Sequence, residues 1–232
     1  KIPLTNAELI KALFLSNTSF NQQTHEDAVR SRMEIALIWD DIEQKLGDET
    51  LWHFVTNAKP HNYPTRIELL FDLISNRPAK NFDPLHTFLY FFKQSHNPNV
   101  SLWEIWLDIE HYFHVLCYWA TNKDLYHKVG YLIAIGDTDT LPDLALLYSE
   151  RVKSEFDREL DRLIAKSIDF DLDSLSYERA ADYRKLERVL LLFNVETIRR
   201  SRSITEYYPF KLHKDSRWSL EHVHAQNSQS LD

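Results

Sequence analysis

The sequence predicts an all-α protein, an irregular multi-helix bundle with a short strand or extended segment near the C-terminus. Three observations predict it. Apolar residues recur at intervals of three and four through most of the chain, the period of an amphipathic helix. Only 3 glycines occur in 232 residues, too few for folds built on Gly turns. Hydrophobic residues reach 44% and aromatic residues 13%, enough for a sizeable core with large rings between packed helices.

Taken in order, Thr5-Asn6-Ala7-Glu8 is a capping box that opens a first helix ending near Ser16-Asn17. Residues 25–46 read as a longer helix whose apolar set includes Val29, Met33, Leu37, Ile38 and Ile42, with Gly47 as its stop. Residues 51–55 make a short segment, and Pro60 and Pro64 bracket a turn. Residues 65–74 form a helix with Ile67, Leu70, Phe71 and Ile74 on its buried side. Asp83-Pro84 caps a helix over 85–94, and residues 95–99 are a polar loop.

Ser101, with Glu104 three positions on, opens a helix whose apolar residues cover much of its surface, so it is expected to be central. Residues 123–135 follow and stop at Gly136. Residues 141–167 carry the ladder Leu144, Tyr148, Val152, Phe156, Leu160 and Ile164, predicting one long amphipathic helix that could act as a lever. Residues 177–198 are the last strong helix, closed by Arg199, Arg200 and Arg202, which suit a negative helix end. Tyr207-Tyr208-Pro209-Phe210 reads as a turn, and residues 218–223 as a short strand. No internal repeat supports a solenoid.

The net charge of -8 argues against a general nucleic-acid coat. Residues 179–217 nonetheless hold ten Lys/Arg against five Asp/Glu, a basic stretch within the C-terminal third of an acidic chain. This could be a footprint for a polyanion, although solvated basic helix faces account for it more simply. A single cysteine, Cys117, excludes an intrachain disulfide framework and a multi-cysteine zinc site, and fits a reducing cytoplasm. It reads as a buried, inert thiol. No apolar run approaches the ~20 residues that span a bilayer, and no signal peptide or P-loop is present. Glu104, Asp108 and His111 recur at helical spacing, with Glu110 and His114 beside them. A di-iron bundle needs a matching Glu-x-x-His helix that is absent, so these read as a polar stripe.

Chemistry concentrates in the tail Trp218-Ser219-Leu220-Glu221-His222-Val223-His224-Ala225-Gln226-Asn227. A carboxylate can ligate a divalent cation while the neighbouring imidazole takes a proton from water beside a phosphodiester. On an ideal strand Glu221 and His222 point to opposite faces, so both serve one metal only where the strand breaks.

These residues resemble a known family. Tyr208-Pro209-Phe210 followed by residues 218–226 is similar to the start of the HNH nuclease domain of GmrSD-like restriction endonucleases. The head, residues 2–13, resembles the end of that family's ParB-like N-terminal domain. Residues 66–72 and 125–133 are similar to its helical middle, and all these matches fall in the family's order. The resemblance implies three parts: residues 1–20 as the tail end of a truncated ParB-like domain, 21–203 as a helical domain, and 204–232 as a truncated start of the HNH domain. It implies a parent that cuts modified DNA in phage defence, using NTP and a divalent metal, most simply Mg.

His222 is then the general base and Glu221 the metal-side residue, with His224 as auxiliary. Arg199, Arg200, Arg202, Lys214 and Arg217 are candidates for phosphate contacts. The chain starts at Lys1, so the family's nucleotide motif is expected upstream and its remaining Asn and His beyond Asp232. An incomplete, inactive site is therefore expected here, with DNA as the parent's partner and an oligomer allowed. Two alternatives stand beside this. Arg217 and His222 form Arg-x-x-x-x-His, a spacing resembling HEPN ribonucleases, and the helical body could be a non-catalytic interaction scaffold.

Overall fold

The computed structural model describes residues 4–16, 25–78, 83–136, 140–203 and 205–215. Among them are eleven α-helices and no strand. In order they are α1 (Asn6–Ser16), α2 (His25–Leu46), α3 (Glu49–Val55), α4 (Glu68–Ile74), α5 (His86–Ser95), α6 (Leu102–Thr121), α7 (Lys123–Ile135), α8 (Thr140–Glu150), α9 (Lys153–Ser167), α10 (Tyr183–Arg200) and α11 (Phe210–Asp215). The strand expected over residues 218–223 lies outside the described residues.

The capping box closes as predicted: Glu8 N–H donates to Thr5 Oγ1 at 3.2 Å and Thr5 N–H to Glu8 Oε2 at 2.7 Å. Asp48 caps α3, its Oδ1 accepting from Thr50 and Leu51 N–H. Asn122 ends α6 and begins α7, its Oδ1 accepting from Leu125 N–H at 3.1 Å. This one residue folds α6 and α7 into a hairpin at the centre of the bundle. α2, α3 and α4 pack on α6, while α3, α8, α9, α10 and α11 pack on α7. One continuous core runs from Phe14 on α1 to Phe210 on α11.

Four segments depart from the sequence expectation. The apolar set Val29, Met33 and Leu37 on α2 faces outward, because a second stripe, Ala28, Ile35, Trp39, Ile42 and Leu46, is the one buried. Two apolar stripes compete for one core, and the stripe that carries Trp39 buries the larger surface. Residues 141–167 are not one helix: the chain breaks at Arg151-Val152, where Val152 is extended (φ -72°, ψ 153°). A ladder of strict four-residue steps drifts about 40° per step on an α-helix, so from Leu144 to Ile164 it turns through about half a circle. The break lets α8 bury Leu141 and Leu144 and α9 bury Phe156 and Leu160, leaving Val152 exposed. The last long helix begins at Tyr183 rather than 177, since Asp182 accepts from Ser176 N–H and pairs with Arg179 in a local turn. The turn expected at 207–210 is there, Phe210 N–H donating to Tyr208 O at 2.9 Å, but Phe210 already opens a further helix, α11, that the sequence did not predict.

Among the described residues no helix is long and apolar enough to cross a membrane.

Candidate functional site

Glu221, His222, His224 and Arg217 lie outside the described residues. What the structure shows is the dock that holds the chain immediately before them. α7 builds it. Leu125 to Ile133 are all buried, the pattern of a helix surrounded on every side. Three of those residues are not ordinary core residues: His127, Lys128 and Gly130.

His127 is fully enclosed and its Nδ1 lies 2.6 Å from Lys123 O. Its Nε2 lies 3.1 Å from Tyr208 N, which can only donate. The ring is therefore neutral, with the proton on Nδ1 and the Nε2 lone pair facing the tail. Burial pushes its pKa below the usual histidine value, in keeping with that state. Tyr126 Oη donates to Tyr208 O at 2.9 Å, so both backbone groups of Tyr208 are held by consecutive residues of α7. Tyr207 Oη reaches Thr121 O at 2.9 Å, and its ring stacks on His127.

Gly130 explains the seat of Phe210. A Cβ at Gly130 would lie 2.2 Å from Phe210 Cε2, so any side chain there would expel the ring. The Phe210 ring fills that notch and meets Tyr126 and Tyr208 at 5.3 Å and 4.9 Å between centroids. α11 also packs on α3. Lys214 Nζ donates to His53 O and to Thr56 O, carbonyls at the C-terminal end of α3. His53 Nε2 lies 3.2 Å from Asp215 Oδ1. Burial pushes the Lys214 pKa down to about 7. Lys128, on the opposite side of α7, meets Asp157 at 2.8 Å and Asp161 at 2.7 Å and fastens α9.

The proposed phosphate contacts fall into two groups. Arg199 bonds Glu196 and Asp124, and Arg200 bonds the same Glu196, so their charge is balanced within the protein. Lys214 is engaged at the end of α3. Arg202 is exposed, at the start of the segment leading to the dock. The Glu104, Asp108, His111 and His114 stripe is exposed on α6, and the described residues contain no group of three or more His, Cys, Asp or Glu placed to hold a metal. Cys117 is half-buried, and burial raises its pKa.

Sequence reading singled out neither His127 nor Gly130 as functional. One signal could have found them: Gly130 is the single glycine inside a predicted helix, and a mid-helix glycine points to a close approach. In the dock's His53–Asp215 contact the imidazole is 9% exposed and the carboxylate 50%. The dock fixes residues 207–215; Arg217 and Glu221 follow Asp215 by two and six positions in the sequence. Compared with known proteins, the chain matches no protein-family model, no curated protein and no solved structure.

Proposed function

We propose that this chain is the helical connector of a modification-dependent, NTP-dependent DNA restriction endonuclease of phage defence, working in the cytoplasm. The observation that carries the reading is the Glu221-His222 step within residues 218–226, in the order of motifs already described. Glu221 would hold a divalent cation, most simply Mg, against a phosphate oxygen. His222 would take a proton from the attacking water as the new P–O bond forms and the bond to the leaving oxygen breaks. The docked tail supports this reading, because a catalytic segment works best when it leaves a rigid element. His224 would assist, and Arg202 and Arg217 would meet the DNA backbone.

The test is Mg-dependent cleavage of modified DNA by the complete gene product. His222→Ala should cut at least about 100-fold more slowly, the usual worth of a general base, while NTP hydrolysis is retained. Cleavage at the unsubstituted rate would sink the assignment. A non-catalytic scaffold is the second reading, and the outward apolar face of α2 favours it.

A further inference from the structure

We infer that residues 207–215 are a proton-gated latch: a second proton on the buried His127 ring meets the Tyr208 N–H and drives this strap off α7 and α3. The inference concerns the described strap alone and does not rest on the nuclease reading.

Hydrogen-bond geometry carries it. His127 is fully buried, and its Nδ1–H donates to Lys123 O at 2.6 Å, an acceptor on its own helix that stays in place whatever the strap does. Its Nε2 lies 3.1 Å from Tyr208 N, whose hydrogen it accepts. A proton on Nε2 sets two N–H groups against each other where water does not reach, and a buried donor without an acceptor is costly. The charges that face the ring do not relieve this. Lys123 on α7 and Arg199 on α10 repel the added charge. Glu196 on α10 attracts it, but already accepts from Arg199 and Arg200, and Asp124 accepts from Arg199. The strap presents the Tyr207 ring, stacked on the imidazole, and the Tyr126 hydroxyl beside it is committed to Tyr208 O.

Of the elements around His127, the strap is the one free to leave. α7 and α10 are helices of 13 and 18 residues set into the core. In the strap Tyr208 and Phe210 are the buried residues, and Leu212 is 58% exposed. A segment with so little buried apolar surface belongs to the low-stability end of a fold. It also moves as a unit, since Tyr208 is joined through Pro209 to the Phe210 ring in the Gly130 notch. Burial of His213 on α11 excludes a proton in the same sense. Lys214 has regained its proton by about pH 7 and adds little below it. His53 acts the other way, because a proton on it strengthens its contact with Asp215, but that carboxylate is half in solvent and the pair is weak.

A nitroxide on Leu212→Cys in a Cys117→Ser background reports whether the strap is docked (immobile) or released (mobile). The released-to-docked ratio should rise from pH 7 to 5 while far-UV circular dichroism shows the bundle still helical. His127, with its ordinary value of 6.5 once released, accounts for a rise of up to about 25-fold. His127→Gln keeps an acceptor for the Tyr208 N–H and takes no proton, so it should dock at pH 7 and lose that part of the rise. A label as immobile at pH 5 as at pH 7, a label already mobile at pH 7, or general loss of helicity at pH 5 overturns the latch. A glutamine variant that releases as steeply as the unsubstituted protein overturns His127 as its key. Should that variant fail to dock at all, 15N spectra of the unsubstituted protein still decide. They should show a neutral His127 ring protonated at Nδ1 in the docked form, and an imidazolium in the docked form overturns the inference.

Discussion

The core around Trp106 and the dock that holds residues 205–215 are both aromatic, yet different forces hold them. Trp106 lies parallel to Trp39, 6.1 Å between centroids, and meets Phe14 edge-on at 5.5 Å. Its indole N–H is buried and has no hydrogen-bond partner among the described residues. In the dock, nearly every ring carries a committed polar atom: Tyr126, Tyr207 and His127 each bond a backbone group at a distant point of the chain. Apolar area holds the first region and tolerates repacking. Hydrogen-bond direction holds the second and fixes its register. Buried polar groups occur elsewhere too, at Glu68 and Thr87, but in the dock they act together on one segment and set its register on α7.

The largest effect should come from removing area. Trp106→Ala should cost about 3–5 kcal/mol, the usual loss for truncating a buried large aromatic residue. The melting temperature would fall by roughly 10 °C for a chain of this size. Trp106→Phe should cost less, about 1–3 kcal/mol, because it keeps a buried ring and the lost N–H makes no hydrogen bond among the described residues. Should thermal denaturation show the two variants equally damaged, Trp106 would owe its place to direction, and the comparison would collapse.

Next is Gly130→Ala. The added methyl group must expel the Phe210 ring, an overpacking cost of about 1–3 kcal/mol. A gain of about 1 kcal/mol in helix propensity offsets part of it. Hydrogen exchange should therefore accelerate at residues 208–215 while α2 and α6 stay protected. Acceleration spread evenly over the whole bundle would mean that dock and core form one cooperative unit.

A smaller effect is expected from pH. Burial lowers the pKa of His127 and, with Lys214 adding to it, that of His213. The docked state thus excludes protons that the undocked chain accepts. The stability these groups contribute is complete above the ordinary histidine value of 6.5 and is lost as pH falls below it. Lys214, lowered from 10.5 to about 7, acts in the same sense at higher pH, and its loss is complete by about 7. Protection of the tail amides, corrected for the intrinsic slowing of amide exchange at lower pH, should therefore fall from pH 7 to 5, and His127→Gln should flatten the slope. A slope unchanged by that substitution would remove His127 from the docking equilibrium.

Much of the fold was legible because helix ends and periodicity are local. The bounds of α2 and the capping box at Thr5 were both readable in sequence. Periodicity reports that a face is apolar, however, and not which of two apolar faces finds a partner. The outward turn of Val29, Met33 and Leu37 was hidden for that reason. α11 was hidden because six residues cannot hold a helix alone and take their shape from the Gly130 notch and the end of α3. The candidate catalytic residues were named from sequence and resemblance, and they lie outside the described residues.

The smallest effect tests the break between α8 and α9, against the continuous lever that periodicity suggests. Val152 has φ -72°, close to the angle proline imposes, and its N–H makes no backbone hydrogen bond outside a helix. Val152→Pro should then stabilise the protein by about 0.4–1 kcal/mol, because it restricts the unfolded chain and removes no native bond. In one unbroken helix the same substitution would delete a bond in mid-span and cost about 3 kcal/mol. The two geometries give opposite signs, so a single melting curve decides between them. A rise in melting temperature leaves Arg151-Val152 as a joint between two separately packed helices. A fall restores one rigid rod, able to carry a displacement from one end of the bundle to the other.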